Sequence, residues 1–591
     1  SQSMAADSDV VIQLLENSYK FVPSKDGDKV ERIEINEVTT YLAKRANVVA
    51  VNTVSYNDFV KLNKASGGEV KYGAVVDDDI FFDDSKAAII ACELKKAGAT
   101  AKTTVSLSFL KPAFFTRLLL TEPYEIERAT YTFELPASME SRFSFEPLNI
   151  PADKIAVSTE RKGDKVLKVF TVTDLPTLSS QTKAPSRSVY APQINIHGFF
   201  ANTTELYHYL RSYIEPDPDP ESVKAKALEL TKGCATDAER IDTITRFVHE
   251  NIRYVAVEHG DYGHRPDHPS EVLRKLYGDC KGSASLLAAM FQAVGLDGRR
   301  AWIGTSSIPE NWSDNPSVNC GNHMIAAIVM PGDSILFVDG TAYACNPPLT
   351  PTGIQGKQAL IENGDGEPLL AMVPQRPAEA NTWRSEFIVD MAADGTLSAH
   401  GTLTLTGSNN AMIVNALHST PPAKQEKMLT KLLIREAGGS EATLSGINSG
   451  FDMTTVTGSI SGLGKVKSVG DETYVELNPM PDIANYKFDT KDRVAPGKID
   501  NNNVLDLSLT LNIPDGMEAV DLPTPVSVDS PWLKAEVTST VSDDGRSLTR
   551  RIVFLRNRAL IPVSDLKTYN ADIARLQRAC AASIILKPIT Q

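Results

Sequence analysis

Apolar residues along this chain recur with a period of two in its first and last thirds and with a helical period between them, and neither one sheet nor one bundle satisfies both. From about 28 to 190, alternating runs are separated by turn residues. "TTVSLSF" (103–109) puts Val105, Leu107 and Phe109 on one face, and "ATYTFELP" (129–136) does the same with Tyr131, Phe133 and Leu135. Such alternation predicts sheet with one buried face. "DLPTLSSQTKAPSRS" (174–188) is Pro- and Ser-rich and reads as a linker candidate. After "EPDPDPES" (215–222) the period changes, and "DAERIDTITRFVHENIRY" (237–254) sets Ile241, Ile244, Phe247 and Val248 on one helical stripe. From about 380 alternation returns. In "VLDLSLTLNIPDG" (504–516), Leu505, Leu507, Leu509, Leu511 and Ile513 share a face, while "PAKQEKMLTKLLIREAG" (422–438) is a helical interlude.

A chain of 591 residues exceeds one hydrophobic core. The texture divides it into an N-terminal β-rich domain (1–190), a linker (191–220), a helix-plus-sheet core (221–375) and a C-terminal β-rich region (376–591). A net charge of −14, from 74 acidic and 60 basic residues, argues against non-specific nucleic-acid binding. No apolar run approaches the roughly 18 to 20 residues that span a bilayer, so no transmembrane segment is expected. Six cysteines without a CxxC pair and nine scattered histidines form no metal-ligand spacing, and neither a metal nor a cofactor is called. The numbering opens on Ser1 with no signal-like apolar stretch, which reads as a removed leader or a boundary.

The chemistry-bearing stretch is "KLYGDCKGSASLLAAMFQAVGLDGRR" (275–300). It sets Cys280 at the start of a helix whose Leu287, Met290, Phe291 and Val294 share a face and whose stop is Gly295. A helix N-terminus stabilises a thiolate through unpaired N–H groups and the macrodipole, and the same N–H groups can hold a tetrahedral oxyanion. Lys281 adds positive potential. A catalytic cysteine also needs a base and an orienter. "NHMIAAIVM" opens a strand with His323, and "SILFVDG" places Asp339 at the end of the next. If "PGD" (331–333) is a three-residue loop, Met330 pairs with Ser334, and His323 becomes the diagonal neighbour of Asp339 on one face. A two-residue loop would turn His323 to the opposite face.

These residues resemble the transglutaminase-like superfamily, which shares the papain-like cysteine-protease core: a Cys at a helix N-terminus after a Gly-x dipeptide, then His and Asp on successive strands. The resemblance is carried by "IRYVAVEHGDYGHRPDHPSEVLRKLYGDCKGSASLLAAMFQAVGLDGRRAWIGT" (252–305), with "NHMIAAIV" and "FVDGT" downstream. It is closer to a branch of exported bacterial proteins in which the core lies between N- and C-terminal β domains, and "PYEIERATYTFELP" (123–136) resembles the end of that branch's first domain. The resemblance implies a multidomain α+β chain, with a papain/transglutaminase-like core between two antiparallel, sandwich-like β domains. It implies Cys280 as nucleophile, His323 as base and then acid, Asp339 as orienter, a protein or peptide substrate, and a periplasmic or cell-surface location. Gly282 stands where the branch carries an acidic residue. Tyr254 is the candidate for a second oxyanion donor, with a core role as its alternative. His264 and His268 are placed in a loop beside the site, Trp302 is assigned to packing, and Cys320 and Cys345 are either two free thiols or a disulfide at the hairpin base.

Two function classes remain. The first is a cysteine acyl-transfer enzyme, a peptidase, amidase or transglutaminase acting through a thioester. The second is a binding or assembly protein that uses its β domains, with the core as scaffold. A glycan-processing enzyme finds no paired carboxylates to support it.

Overall fold

The computed structural model describes residues 9–74, 81–258 and 260–590. They fall into two compact units. The first takes in the chain to Ser180, then Ser186–Thr341 and Gly356–Val373; the second takes in Gln181–Pro185, Ala342–Gln355 and the chain from Pro374.

The first unit begins with Val10–Pro23 (β1), Val30–Ala43 (β2), Val60–Ser66 (β3), Thr100–Phe109 (β4), Ile126–Pro136 (β5), Ile155–Lys162 (β6) and Lys165–Leu175 (β7), which form one sheet in the order β6-β7-β5-β1-β2-β4-β3. Its pairings are antiparallel except for β1 with β5, which run parallel. The alternating residues turn inward as expected: Val105, Leu107, Tyr131, Phe133 and Leu135 are all buried. They share one core with a three-stranded sheet built on Val48–Tyr56, Glu69–Ala74 and Lys86–Leu94.

Residues 191–220, expected as a linker, carry secondary structure. Gln193–His197 is the middle strand of a small sheet with Ser144–Leu148 and Arg117–Leu119. Four consecutive residues of that strand are buried, so it lacks the alternation that marks a strand with one wet face. Helix Thr203–Arg211 (α1) follows and packs Leu206, Tyr207 and Leu210 with Trp302, Trp312 and Met324.

The helical segment then runs through Pro220–Leu230 (α2), Asp237–Asn251 (α3), Pro269–Lys275 (α4) and Cys280–Ala293 (α5). A reciprocal capping box between Thr236 and Glu239 starts α3. Five strands, Gly298–Ile303 (β8), His323–Val329 (β9), Ile335–Val338 (β10), Gln358–Ile361 (β11) and Leu369–Met372 (β12), form an antiparallel sheet in the order β10-β9-β8-β11-β12. Helix α5 lies at the centre of this region. Its Leu287, Met290 and Phe291 are fully buried against α2, α3 and the sheet, and Gly295, with φ +84°, ends it.

The second unit is built on an eight-stranded sheet of Thr382–Met391 (β13), Leu397–Thr406 (β14), Glu441–Ser449 (β15), Met453–Leu463 (β16), Asn503–Asn512 (β17), Val526–Asp529 (β18), Leu533–Val541 (β19) and Ser547–Arg556 (β20), in the order β15-β16-β14-β13-β17-β20-β19-β18. It too has one parallel pair, β13 with β17. Gly407–Ser419 (α6), Pro422–Ala437 (α7) and Leu566–Ala581 (α8) accompany it. Leu505, Leu507, Leu509, Leu511 and Ile513 all face its core.

Candidate active site

The local sequence sets the position of Cys280. Asp279 has extended backbone and is the N-cap of α5; its Oδ1 accepts the Gly282 N–H at 2.9 Å. Its Oδ2 takes the Lys281 ammonium. Cys280 is the first helical residue and is half-buried. The N–H groups of Cys280 and Lys281 precede the first intrahelical bond and have no acceptor among the described residues. They are therefore free to receive an anion.

Position 282 leaves little room for a side chain, which would start 3.0 Å from Val272 Cγ2 and 3.7 Å from Asp279 Oδ1. The carboxylate at this helix start is the N-cap Asp279, which accepts that residue's N–H.

The hairpin has the register that a three-residue loop requires. Met330 donates to Ser334 O at 2.8 Å, Asp333 donates to Met330 O at 3.1 Å, and the ladder continues through Ile328 with Leu336 and Ala326 with Val338. Pro331 and Gly332, the latter at φ +83°, make the turn, and Asp333 at φ +64° completes it. Gly340 lies so close to α5 that an added Cβ would sit 3.0 Å from Ser283 Cβ and from Leu287 Cδ1, which holds Asp339 beside the helix start. His323 Nε2 donates to Asp339 Oδ2 at 2.8 Å, and Cys280 lies near enough to the ring to help raise its pKa. With Nε2 engaged, Nδ1 is the nitrogen left to exchange a proton with the thiol.

Electrostatics favour charge on this pair. Burial opposes a protonated His323, but Asp339 and then Cys280 outweigh it and push its pKa up to about 10. Asp339 is buried, which opposes ionisation, yet His323 and Thr341 hold its carboxyl below the usual range. Both carboxylate oxygens are occupied, Oδ1 by the Thr341 N–H at 2.9 Å and the Thr341 hydroxyl at 2.7 Å.

A residue that sequence reasoning did not single out supports the pair from behind. His249, buried on α3, donates from Nε2 to the Asp339 backbone carbonyl at 2.7 Å, and its Nδ1 accepts from Arg246. Burial pushes its pKa down to about 4, so it stays neutral and keeps this tautomer.

Cys280 and His323 open on a cleft of about 410 Å³. Its lining includes His264, Trp302, Trp312 and Asn322 of the core and Asn57, Phe59 and Phe114 of the N-terminal β domain. A larger groove of about 920 Å³ runs along the far end of α5, where Arg300 pairs with Glu362 at 2.9 Å and Arg211 with Glu362 at 3.6 Å; neither Cys280 nor His323 lines it.

The remaining sequence candidates distribute as follows. Tyr254 pairs through its backbone with Gly278, two residues before Cys280, but its side chain is exposed and does not line the cleft. His264 lines the cleft; His268 does not, and lies 4.0 Å from Glu215. Trp302 is buried and also forms part of the cleft floor. Cys320 and Cys345 are both buried and no disulfide joins them, and burial pushes the Cys320 thiol up to about 11. No group of metal-ligating side chains occurs among the described residues, and no helix among them is long and apolar enough to cross a membrane.

Sequence comparison matches residues 224–339 to the transglutaminase-like superfamily and residues 471–586 to DUF3858, a domain of unknown function with a solved structure. No curated protein matches the chain. Among solved structures, a putative protease from Parabacteroides distasonis superposes with a TM-score of 0.59 at 11% identity, over 98% of this chain and 99% of its own. At that identity the likeness is one of fold. A putative cysteine protease from Cytophaga hutchinsonii (TM-score 0.17, 9% identity, 52% of this chain and 76% of its own) and an M1 zinc metallopeptidase from Deinococcus radiodurans (0.19, 11%, 32% and 43%) superpose too poorly to carry an argument. Residues 224–339 of this chain thus match the transglutaminase-like superfamily and are flanked by β-rich domains, in a fold that the Parabacteroides protein shares over 98% of this chain.

Proposed function

We propose that the protein is a cysteine acyl-transfer enzyme that hydrolyses a peptide or carboxamide bond through a thioester. One observation carries this reading: His323 is bonded to Asp339 and lines one cleft together with Cys280, which stands at the free end of a helix and helps hold the imidazole protonated. The Cys280 sulfur attacks the carbonyl carbon, and the C=O π electrons move onto oxygen. The N–H groups of Cys280 and Lys281 receive that oxyanion. As it collapses, the C–N bond breaks and His323 gives its proton to the departing amine, leaving a thioester. His323 then takes a proton from water, whose oxygen attacks the thioester, and the thiolate leaves. Asp339 holds the ring in place and stabilises its charged form. The description of the Parabacteroides protein as a putative protease agrees with a peptide substrate.

The test uses the chain's own cysteines. Cys234 is the other half-buried thiol, while Cys92, Cys320, Cys345 and Cys580 are buried. With iodoacetamide at pH 7, Cys280 is expected to react at least about tenfold faster than Cys234, because a free thiol is only a few per cent thiolate there. His323→Ala is expected to abolish that advantage. Equal rates in the parent protein would favour the scaffold reading.

A further inference from the structure

Three rings stand nearly parallel in the cleft beside the thiol. Phe59, in the loop before β3, and Phe114, in the short helical turn Pro112–Phe114, have centroids 5.8 Å apart and planes inclined by 13°. The His264 ring stacks on Phe114 at 4.4 Å and 28° and lies 5.9 Å from Phe59 at 17°. All three are half-buried rather than enclosed, so part of this aromatic surface faces the cleft. Exposed aromatic surface in a concave site is what a ligand covers.

The charges nearby are already committed. Lys281 is bound to Asp279, and Lys111, which lies 5.7 Å over the Phe59 ring, is bridged to Asp261 at 3.4 Å. Asp84 accepts the Asp58 N–H at 2.7 Å. Burial, with Lys281 next, pushes the His264 pKa down to about 4, so the stack carries no charge near neutrality. The aromatic stack is thus uncharged, although Asp84 and Lys281 also line the cleft, and two of its rings come from outside the transglutaminase-like core.

We infer that the substrate seats a bulky apolar side chain, aromatic or branched aliphatic, on Phe59 and Phe114, so that the N-terminal β domain sets specificity at Cys280. This rests on the acyl-transfer reading of the same site. Two series of peptidyl acyloxymethyl ketones, Cbz-Xaa-Ala and Cbz-Ala-Xaa with Xaa as Phe, Leu, Gly, Asp or Lys, test it on the full chain, with loss of free Cys280 followed by mass spectrometry. In at least one series the Phe and Leu probes should modify Cys280 at least about tenfold faster than the Gly, Asp and Lys probes. Phe59→Ala should collapse the Phe-to-Gly rate ratio, and Phe114→Leu, which keeps apolar volume, should lower it for Phe more than for Leu. Flat rates in both series, or preference for Asp or Lys, with Cys280 still fast toward iodoacetamide, would overturn this inference and leave the acyl-transfer reading standing. Slow iodoacetamide labelling would remove that reading first, and the inference with it.

Discussion

Asp339 is the residue whose chemistry can be changed without changing its shape. In Asp339→Asn the amide can offer its NH₂ to His323 Nε2, which must then accept and carry its proton on Nδ1, the nitrogen needed to take the thiol proton. A drop in kcat of about 10⁴ is expected from this tautomer change alone. The His323 ring should also titrate nearer its ordinary 6.5 than its present value of about 10, which proton-detected histidine titration would read. A variant with parental kcat would show that another group orients the ring. The placement of Cys280, His323 and Asp339 was legible in the sequence because each has a distinctive context: a helix start, a strand start and a strand end. His249 was not. It occupies the buried face of α3 among Ile241, Ile244 and Val248, where a histidine interrupts the stripe but nothing local names its partner ninety residues on. Nor does the pattern reveal that Asp279 supplies the first-turn carboxylate, since an N-cap and an electrostatic partner look alike in sequence.

At the scale of elements, the hairpin β9–β10 is what unites His323 and Asp339. Its register was legible only as a condition on loop length: three residues at Pro331-Gly332-Asp333 put both side chains on one face and two would part them, because side chains on a strand alternate between faces. Deleting Gly332 should therefore shift the pairing by one residue and turn Asp339 away from His323. A folded protein, judged by circular dichroism, should then label Cys280 no faster than Cys234. Retained fast labelling would mean that Gly340, packed on α5, fixes Asp339 without help from the ladder. Strands with one wet face announced themselves, as β4, β5 and β17 did. The Gln193–His197 strand did not, because it is covered on both sides and so has no period. The parallel pairs β1–β5 and β13–β17 were also hidden, since alternation reports which face is buried and says nothing of the neighbouring strand's direction.

For the whole molecule, the sequence suggested consecutive blocks, whereas the second unit also recruits Gln181–Pro185 and Ala342–Gln355. Such short excursions carry too few residues for a periodic signal. The two units nevertheless differ in a way that pH can resolve. In the first, buried Glu122 is pushed up to about 7 by burial and by Glu37, which favours the native state at low pH, while His249 and His264, held neutral with pKa values of about 4, favour it at higher pH. These contributions oppose one another between pH 4 and 7. In the second unit burial pushes Glu436 up to about 7 from an ordinary 4.5, with Trp383 acting the other way. Its native form thus holds a proton that the unfolded chain releases between those values. Stability of the second unit should rise as pH falls from 8 toward 5, by at most about 3 kcal/mol from this group. Glu436→Gln keeps the shape of the side chain and removes the titration. It should raise the stability of the second unit at pH 8 and flatten its dependence between pH 5 and 7, read from hydrogen exchange of the β13 and β17 amides. If the variant keeps the parent's slope, the carboxyl is not protonated in the native protein and the burial argument fails.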